Sequence, residues 1–134
     1  MTYFRISEAA GLLGVSDDTV RRYVESDRLP VERDESNRRV IDGAALARFA
    51  RDHARLTPDP SDVARSARNR LVGLVTAVTM DTVMAQVEMQ CGPHRVVSLM
   101  SSEAARELGL QPGMLAVAVI KSTNVVVETP RAAR

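Results

Sequence analysis

The stretch VAVIKSTNVVVETP near the C-terminal end places one cation and two hydroxyl groups between apolar, β-branched runs. Lys121 is the only lysine of the chain. The other 17 of its 18 lysine and arginine residues are arginine. Ser122 and Thr123 follow it directly. A point charge flanked by hydroxyl donors can hold an anion, since each donor satisfies one acceptor oxygen. A solvated lysine at a strand end is the alternative interpretation.

A second group of polar side chains follows helical spacing in VSDDTVRRYVESDRLP. A buried face is predicted for the apolar residues Leu12, Val15, Val20 and Val24. The outward face then carries the polar side chains Asp18, Thr19, Arg22 and Ser26, with Arg21 on its flank. Arginines on such a helix can reach phosphates or guanine edges in a DNA major groove.

Residues for catalysis or cation binding are few. Cys91 and His94 in QCGPHR supply only two ligands, whereas a zinc site generally needs four, or three plus water. The segment CGPH is better interpreted as a hairpin turn. The sequence has neither a P-loop nor a nucleophile with a base and an orienting group. We therefore expect no enzyme and no metal cation.

Length and composition limit the class of protein. A chain of 134 residues with a net charge of +1 suits one ordinary domain or two small ones. No apolar run approaches the 18 residues of a membrane span, and MTYFRISEAA lacks the pattern of a secretory signal. The single cysteine forms no internal disulfide, so we expect a cytoplasmic protein without membrane contact.

Charge is unevenly distributed and indicates two domains. Residues 1–70 hold 13 of the 18 basic side chains and 12 of the 17 acidic ones. The segment TPDPSD has two prolines and nothing apolar, which is typical of a linker. The sequence predicts an α+β protein with a domain at 1–55, a linker at 56–64 and a second domain at 65–131.

The first domain reads as two helices, a hairpin and a third helix. We expect Ser7 to cap the first helix, Gly14 to end it and Ser16 to cap the second. Apolar residues on either side of Asp34–Asn37 predict a β-hairpin. A third helix follows from Asp42, with the apolar stripe Leu46, Phe49 and Ala50.

This arrangement resembles the excisionase and MerR-type winged helix-turn-helix, in VSDDTVRRYVESDRLP and in the NRRVI of the hairpin. The resemblance covers roughly residues 3–53 and implies binding to double-stranded DNA. The family's hairpin tip is often glycine-rich and neutral or basic, whereas the tip here is RDESNRR, whose two acids should repel phosphate. Contact by the hairpin is therefore expected from Arg38 and Arg39, in addition to Asp18, Thr19, Arg21 and Arg22 on the second helix. A plain helical bundle is the alternative.

The second domain is rich in β-branched runs. Five of them, RLVGLVTAV, TVMAQVEMQ, HRVVSLM, MLAVAVI and NVVVET, suggest a small OB-like barrel. One helical insertion, SSEAARELGL, begins at Ser101 or Ser102 and ends at Gly109.

The order SARN, a serine at a helix start, LGLQPG and IKST resembles the Mop domain, a molybdenum-binding domain of the TOBE type. The resemblance covers roughly residues 65–130. It implies an OB-like barrel that binds molybdate or tungstate between subunits of a homo-oligomer. Carried over by motif, the oxyanion residues are Ser66, Arg68, Ser101, Lys121, Ser122 and Thr123. Ala104 stands where some relatives have a hydroxyl group.

Molybdate is a tetrahedral dianion with acceptor oxygens and no donors, so its site must supply N–H and O–H groups and positive charge. The six oxyanion residues are donors of this kind. Size and charge can separate molybdate from sulfate, but hardly from tungstate.

These features predict a DNA-binding transcription regulator that responds to molybdate or tungstate and oligomerises through its barrel. Two alternatives remain open. One is a molybdate storage or buffering protein. The other is an excisionase-like architectural DNA binder whose barrel serves only for oligomerisation.

Overall fold

The structure is a computed structural model that describes residues 2–55, 58–61, 64 and 66–130. It divides into two compact units, Met1–Leu56 and Thr57–Arg134. Each unit combines helices with strands, so the chain is a two-part α+β protein. Within these described residues, no helix is long and apolar enough to cross a membrane.

The described residues of the first unit form three short strands and three helices. In chain order they are β1 (Tyr3–Arg5), α1 (Ile6–Leu13), α2 (Asp17–Glu25), β2 (Glu32–Arg33), β3 (Arg39–Asp42) and α3 (Gly43–His53). The strands form an antiparallel sheet in the order β1-β3-β2. The predicted hairpin is thus β2 and β3, with Asp34–Asn37 at its tip.

Local signals set the ends of the helices. Gly14 ends α1 in a left-handed conformation with φ of 70°, and Ser16 caps α2 by accepting a hydrogen bond from the Thr19 amide at 3.1 Å. Asp42 caps α3 through the Ala45 amide at 3.2 Å. The expectation for Ser7 was wrong. Arg5 stands at the N-cap instead, because Glu8 reaches back to its backbone N–H at 3.0 Å.

The core of the first unit lies between the helices and the sheet. Its largest fully buried side chains are Val20, Leu29 and Ile41, and Leu46 and Phe49 pack with them. Two predicted core positions are wrong. Leu12 is 64% exposed, and on α3 the buried alanine is Ala45 and not Ala50. The side of a helix that is buried depends on its neighbours in the fold, which the helical period alone does not identify.

The second unit is a curved sheet with one helix. Its elements are β4 (Asn69–Met80), β5 (Met84–Cys91), β6 (His94–Ser101), α4 (Ser102–Glu107) and β7 (Leu115–Ile120). All neighbours in the order β6-β5-β4-β7 are antiparallel. The first half of β4 pairs with β7 and its second half with β5, so this long strand bends from one partner to the other. The result is half of a barrel.

Turns and caps of the second unit follow the sequence closely. Cys91 pairs with His94, so Gly92 and Pro93 form the predicted tight turn. Ser101 caps α4 by accepting from the Ala104 amide at 3.1 Å, as one of the two predicted serines.

The fifth predicted strand, NVVVET, does not form. A 3-10 turn at Ser122–Asn124 follows β7, and the described residues after it have no strand partner. Val126 and Val127 are 84% and 83% exposed. High β-propensity alone does not make a strand, because a strand also needs a partner that takes up its backbone hydrogen bonds.

Candidate oxyanion and DNA-binding sites

The pairing of β4 with β7 brings two predicted oxyanion residues to one end of the sheet. Asn69 opens β4 opposite Ile120, the last residue of β7, and the Asn69 side-chain amide donates to the Ile120 carbonyl at 3.1 Å. Arg68 directly precedes this pair and Lys121 directly follows it. Both are exposed, and neither side chain has a hydrogen-bond or ion-pair partner among the described residues. Two cations at one strand end attract an anion.

Three hydroxyl side chains lie along the chain beside these cations. Ser122 and Thr123 belong to the 3-10 turn after β7, which is closed by the Asn124 amide donating to the Lys121 carbonyl at 2.9 Å. Ser66 is exposed and lies two positions before Arg68, with the buried Ala67 between them. We call Ser66, Arg68, Lys121, Ser122 and Thr123 the basic end.

Ser101 lies at the opposite end of the sheet. Ser101 pairs with Met84, which lies next to the end of β4 at Met80. The basic end lies beside Asn69, where β4 starts. A strand of 12 residues spans about 40 Å when straight. One chain therefore does not bring Ser101 to the basic end.

The predicted DNA-binding side chains of α2 all lie towards solvent, with Thr19 the least exposed. Arg21 forms an ion pair with Asp18 at 2.7 Å, and the Arg22 guanidinium donates to the Thr19 hydroxyl at 3.1 Å. Each arginine is thus held along the helix surface by the residue three positions before it. These bonds are exposed and weak, so the arginines remain available to a phosphate.

The tip of the hairpin is organised by Asp34. Its carboxylate accepts from the Arg38 backbone and side chain and from the Ser36 amide. The hydrogen bond from the Arg38 backbone is the main reason that the pKa of Asp34 lies below its ordinary value. The Arg38 guanidinium is therefore engaged with Asp34, at 3.1 Å. Arg39 forms no ion pair with another described residue, so it is the freer cation of the two.

Sequence reasoning missed one cation on this surface. Arg28 lies beyond the end of α2 and lines a hollow of about 540 Å³ together with Thr19, Arg22, Tyr23, Glu25 and Ser26. The residue stands outside the helical period that predicts the polar face of α2. Its proximity to Arg22 arises from the turn at Asp27, where φ is 60°.

Other reactive groups do not assemble into a site. Cys91 is buried, its Sγ lies 3.7 Å from the Leu71 carbonyl, and burial raises the pKa of its thiol. His94 pairs with it across the hairpin but is exposed. In the described ranges, no three or more histidine, cysteine, aspartate or glutamate side chains are grouped as a metal site would require.

Comparison with known proteins gives matches for both units. The TOBE domain family matches residues 65–127, and the MerR family of regulatory proteins matches residues 5–41. Neither family description is that of an enzyme. Molybdenum-pterin-binding protein 3 of Clostridium pasteurianum is 41% identical over 63 residues, which are 46% of this chain and 93% of that protein.

Two further relatives match the same unit. Molybdenum transport protein ModE of Herbaspirillum seropedicae is 38% identical over 65 residues, 48% of this chain and 24% of that protein. The crystal structure of the cytoplasmic molybdate-binding protein ModG with molybdate bound is 40% identical, with a TM-score of 0.50 over 54% of this chain and 52% of that one. The half-barrel thus has the OB-like Mop fold.

Proposed function

The chain belongs to the TOBE-domain family through residues 65–127 and carries a MerR-family domain at residues 5–41, and from this premise we propose a transcription regulator that responds to molybdate or tungstate. Its N-terminal unit is a winged helix-turn-helix that binds double-stranded DNA, and its C-terminal unit is the oxyanion sensor. The domain limits 1–55 and 65–131 and a cytoplasmic location, as stated for ModG, belong to this proposal.

The observation that carries the proposal is the meeting of Arg68 and Lys121 at one strand end, beside Ser66, Ser122 and Thr123. Two positive charges match a dianion, and the hydroxyl groups supply further donors. The same unit is similar to a protein whose crystals hold molybdate. We assign these five residues and Ser101 to the oxyanion.

Ser101 joins the site only from a second copy of the chain. Its position at the end of the sheet opposite the basic end favours an ion shared between subunits, since a neighbouring subunit can present Ser101 to the basic end. The apolar surface of the half-barrel supports such an assembly. Val126 and Val127 are exposed there, as are Leu99 and Leu115. The oxyanion then cross-links subunits, and a dimer presents two α2 helices to a two-fold DNA site.

A calorimetric titration of the full chain with molybdate, tungstate and sulfate tests the sensor. We expect binding of the first two and none of sulfate. The absence of heat and of thermal stabilisation with all three oxyanions would remove the ligand role of the basic end.

Storage of molybdate is a second candidate function, because the Clostridium pasteurianum relative is matched over nearly its whole length by the second unit alone. Selection of binding sites from a pool of random DNA duplexes distinguishes a storage protein from a regulator. A regulator enriches a defined duplex, and substitution of Arg22 or Arg39 by alanine weakens its binding. A storage protein binds molybdate but enriches no duplex.

A further inference from the structure

The hairpin of the first unit places two arginines directly opposite each other. In the antiparallel register of β2 and β3, Arg33 is the partner of Arg39. Side chains at such a pair of positions stand on the same face of the sheet, with their Cβ atoms roughly 5 Å apart. Like charges in this arrangement destabilise the pairing of the strands. The free hairpin therefore holds two guanidinium groups side by side although they repel each other.

No carboxylate among the described residues neutralises this pair. Arg39 is partly buried, and its side chain has no hydrogen-bond or ion-pair partner there. Arg33 is exposed and donates from Nη1 to the Asn37 carbonyl at 2.9 Å, which is a neutral acceptor. The adjacent acid, Asp34, is engaged with Arg38 at 3.1 Å. The two positive charges are thus left without compensation.

The pair lies on the side of the sheet where the helices pack. Arg39 precedes Ile41 by two positions on β3, and residues two apart on a strand face the same side. Ile41 is fully buried in the core that also contains Val20 of α2. Glu32, one position before Arg33, belongs to the other face. One duplex can therefore contact α2 and the two arginines together.

A phosphate of the DNA backbone suits this position. Its free oxygens are acceptors, and each guanidinium is a planar fork of N–H donors that matches phosphate geometry. An anion between Arg33 and Arg39 also removes their mutual repulsion, so the pair is more favourable in the complex than in the free protein. Contacts to phosphate fix the position of a protein on the duplex and carry no sequence information.

We propose that Arg33 and Arg39 together bind one phosphate of the DNA backbone, which makes Arg33 a further DNA-binding residue of the hairpin. This inference rests on the proposed function and adds a contact to it. Arg33 is absent from the set predicted from the sequence, because its place opposite Arg39 depends on the register of the hairpin.

The stability of the free protein gives the first test, on full-length wild type and Arg39→Gln. Both tyrosines of the chain belong to the first unit, so tyrosine fluorescence follows the unfolding of that unit. Without DNA and at low salt, we expect Arg39→Gln to raise the midpoint of thermal unfolding by about 1–4 °C, because the repulsion is lost. A midpoint at or below that of the wild type overturns the proposal.

The affinity for a selected duplex, measured by fluorescence anisotropy, gives the second test. Arg33→Gln and Arg39→Gln should each bind about tenfold more weakly, since a hydrogen bond to a charged group is lost. The double variant should lose far less than the product of about a hundredfold, because both arginines serve the same phosphate. The slope of log affinity against log salt should fall by about one in the single and double variants alike. Losses that multiply overturn the shared phosphate.

Arg51→Gln is the control, since Arg51 is an exposed cation of α3 that pairs with Asp52. If Arg33→Gln binds the duplex as tightly as this control, the inference is overturned and the proposed function stands. If the wild type enriches no duplex, both are overturned.

Inorganic phosphate distinguishes a backbone phosphate from a free ion. At equal ionic strength, it should raise the unfolding midpoint of the wild type no more than that of Arg33→Gln. A larger rise in the wild type, together with equal duplex affinities, would identify a site for a free anion and overturn the assignment to DNA.

Discussion

Lys121 and Arg68 are two cations that the β4–β7 register brings to one end of the sheet, and the two side chains differ in what they can offer an anion. Lysine is a compact point charge, whereas arginine offers a planar fork of donors. Their exposure in the single chain means that either can reach towards an ion shared with a second subunit. Neither forms an ion pair with another described residue, unlike Arg38 and Arg70.

Replacement of Lys121 by alanine should weaken molybdate binding by roughly 10- to 100-fold, because a hydrogen bond to a charged group contributes about 1.5–3 kcal/mol. Calorimetry with molybdate measures the loss. Arg106→Ala on α4 removes an exposed cation from the same unit and serves as the control. An equal loss of molybdate affinity in both variants would show that Lys121 acts only through its charge and not through a direct contact with the oxyanion.

Several single residues were predictable because their effect is local. Ser16, Asp42 and Ser101 cap the helices that directly follow them, and such bonds span only three residues. The roles of Asp34 and Asp59 were not predictable in the same way. The sequence indicated only that Asp34 repels phosphate and that Asp59 belongs to a linker, but a cation four or eleven positions away pairs with each acid once the chain is folded.

The backbones of β4 and β5 approach each other closely at Gly73. A Cβ atom there would lie 2.4 Å from the Gln90 carbonyl oxygen and 2.7 Å from the Cys91 sulfur. Gly73→Ala should therefore destabilise the second unit by about 1–3 kcal/mol, as overpacking does. Urea unfolding followed by circular dichroism measures the change.

Gly11→Ala is the matched control for Gly73. Gly11 lies within α1, and a Cβ atom added to it would meet no group beyond its own helix within 4 Å. Alanine there should be neutral or stabilise the first unit by about 0.5–1 kcal/mol, because alanine loses less conformational freedom than glycine in a helix. A Gly73→Ala variant as stable as the wild type would show that β4 can separate from β5 without cost.

The exposed face of α2 is the part of the first unit that we assign to DNA. Arg22→Ala should weaken binding to a selected duplex and reduce the slope of log affinity against log salt by about one, as loss of one phosphate contact does. Fluorescence anisotropy at several salt concentrations measures both quantities. Arg51→Ala on α3, whose side chain pairs with Asp52, is the control and should change neither.

Helices and turns were predicted better than strands and the buried faces of helices. The helical period identified α1, α2, α3 and α4, and capping residues placed the starts of all of them except α1. The side on which each helix packs depends on its neighbours, so Leu12 and Ala50 were placed on the wrong side. The order β6-β5-β4-β7 joins segments distant in sequence, and no local signal encodes it. The run NVVVET shows the same limit, since propensity does not supply a partner strand.

The molecule as a whole should be an oligomer of its 14.6 kDa chain. The half-barrel exposes Val126, Val127 and Leu115, and burial of such residues favours association. Sedimentation equilibrium should give a mass of at least two chains, and the double variant Val126→Asp, Val127→Asp should shift it towards one. A monomeric wild type at micromolar concentration would contradict a site shared between subunits.

The most direct measurement is the affinity of the full chain for its selected duplex with molybdate, with sulfate at equal ionic strength, and with neither. We predict that molybdate changes the dissociation constant by about fivefold or more, a typical size for coupling between two sites. Sulfate should leave it unchanged. The same dissociation constant in all three solutions would contradict the regulator and leave a DNA-binding protein that does not respond to the oxyanion.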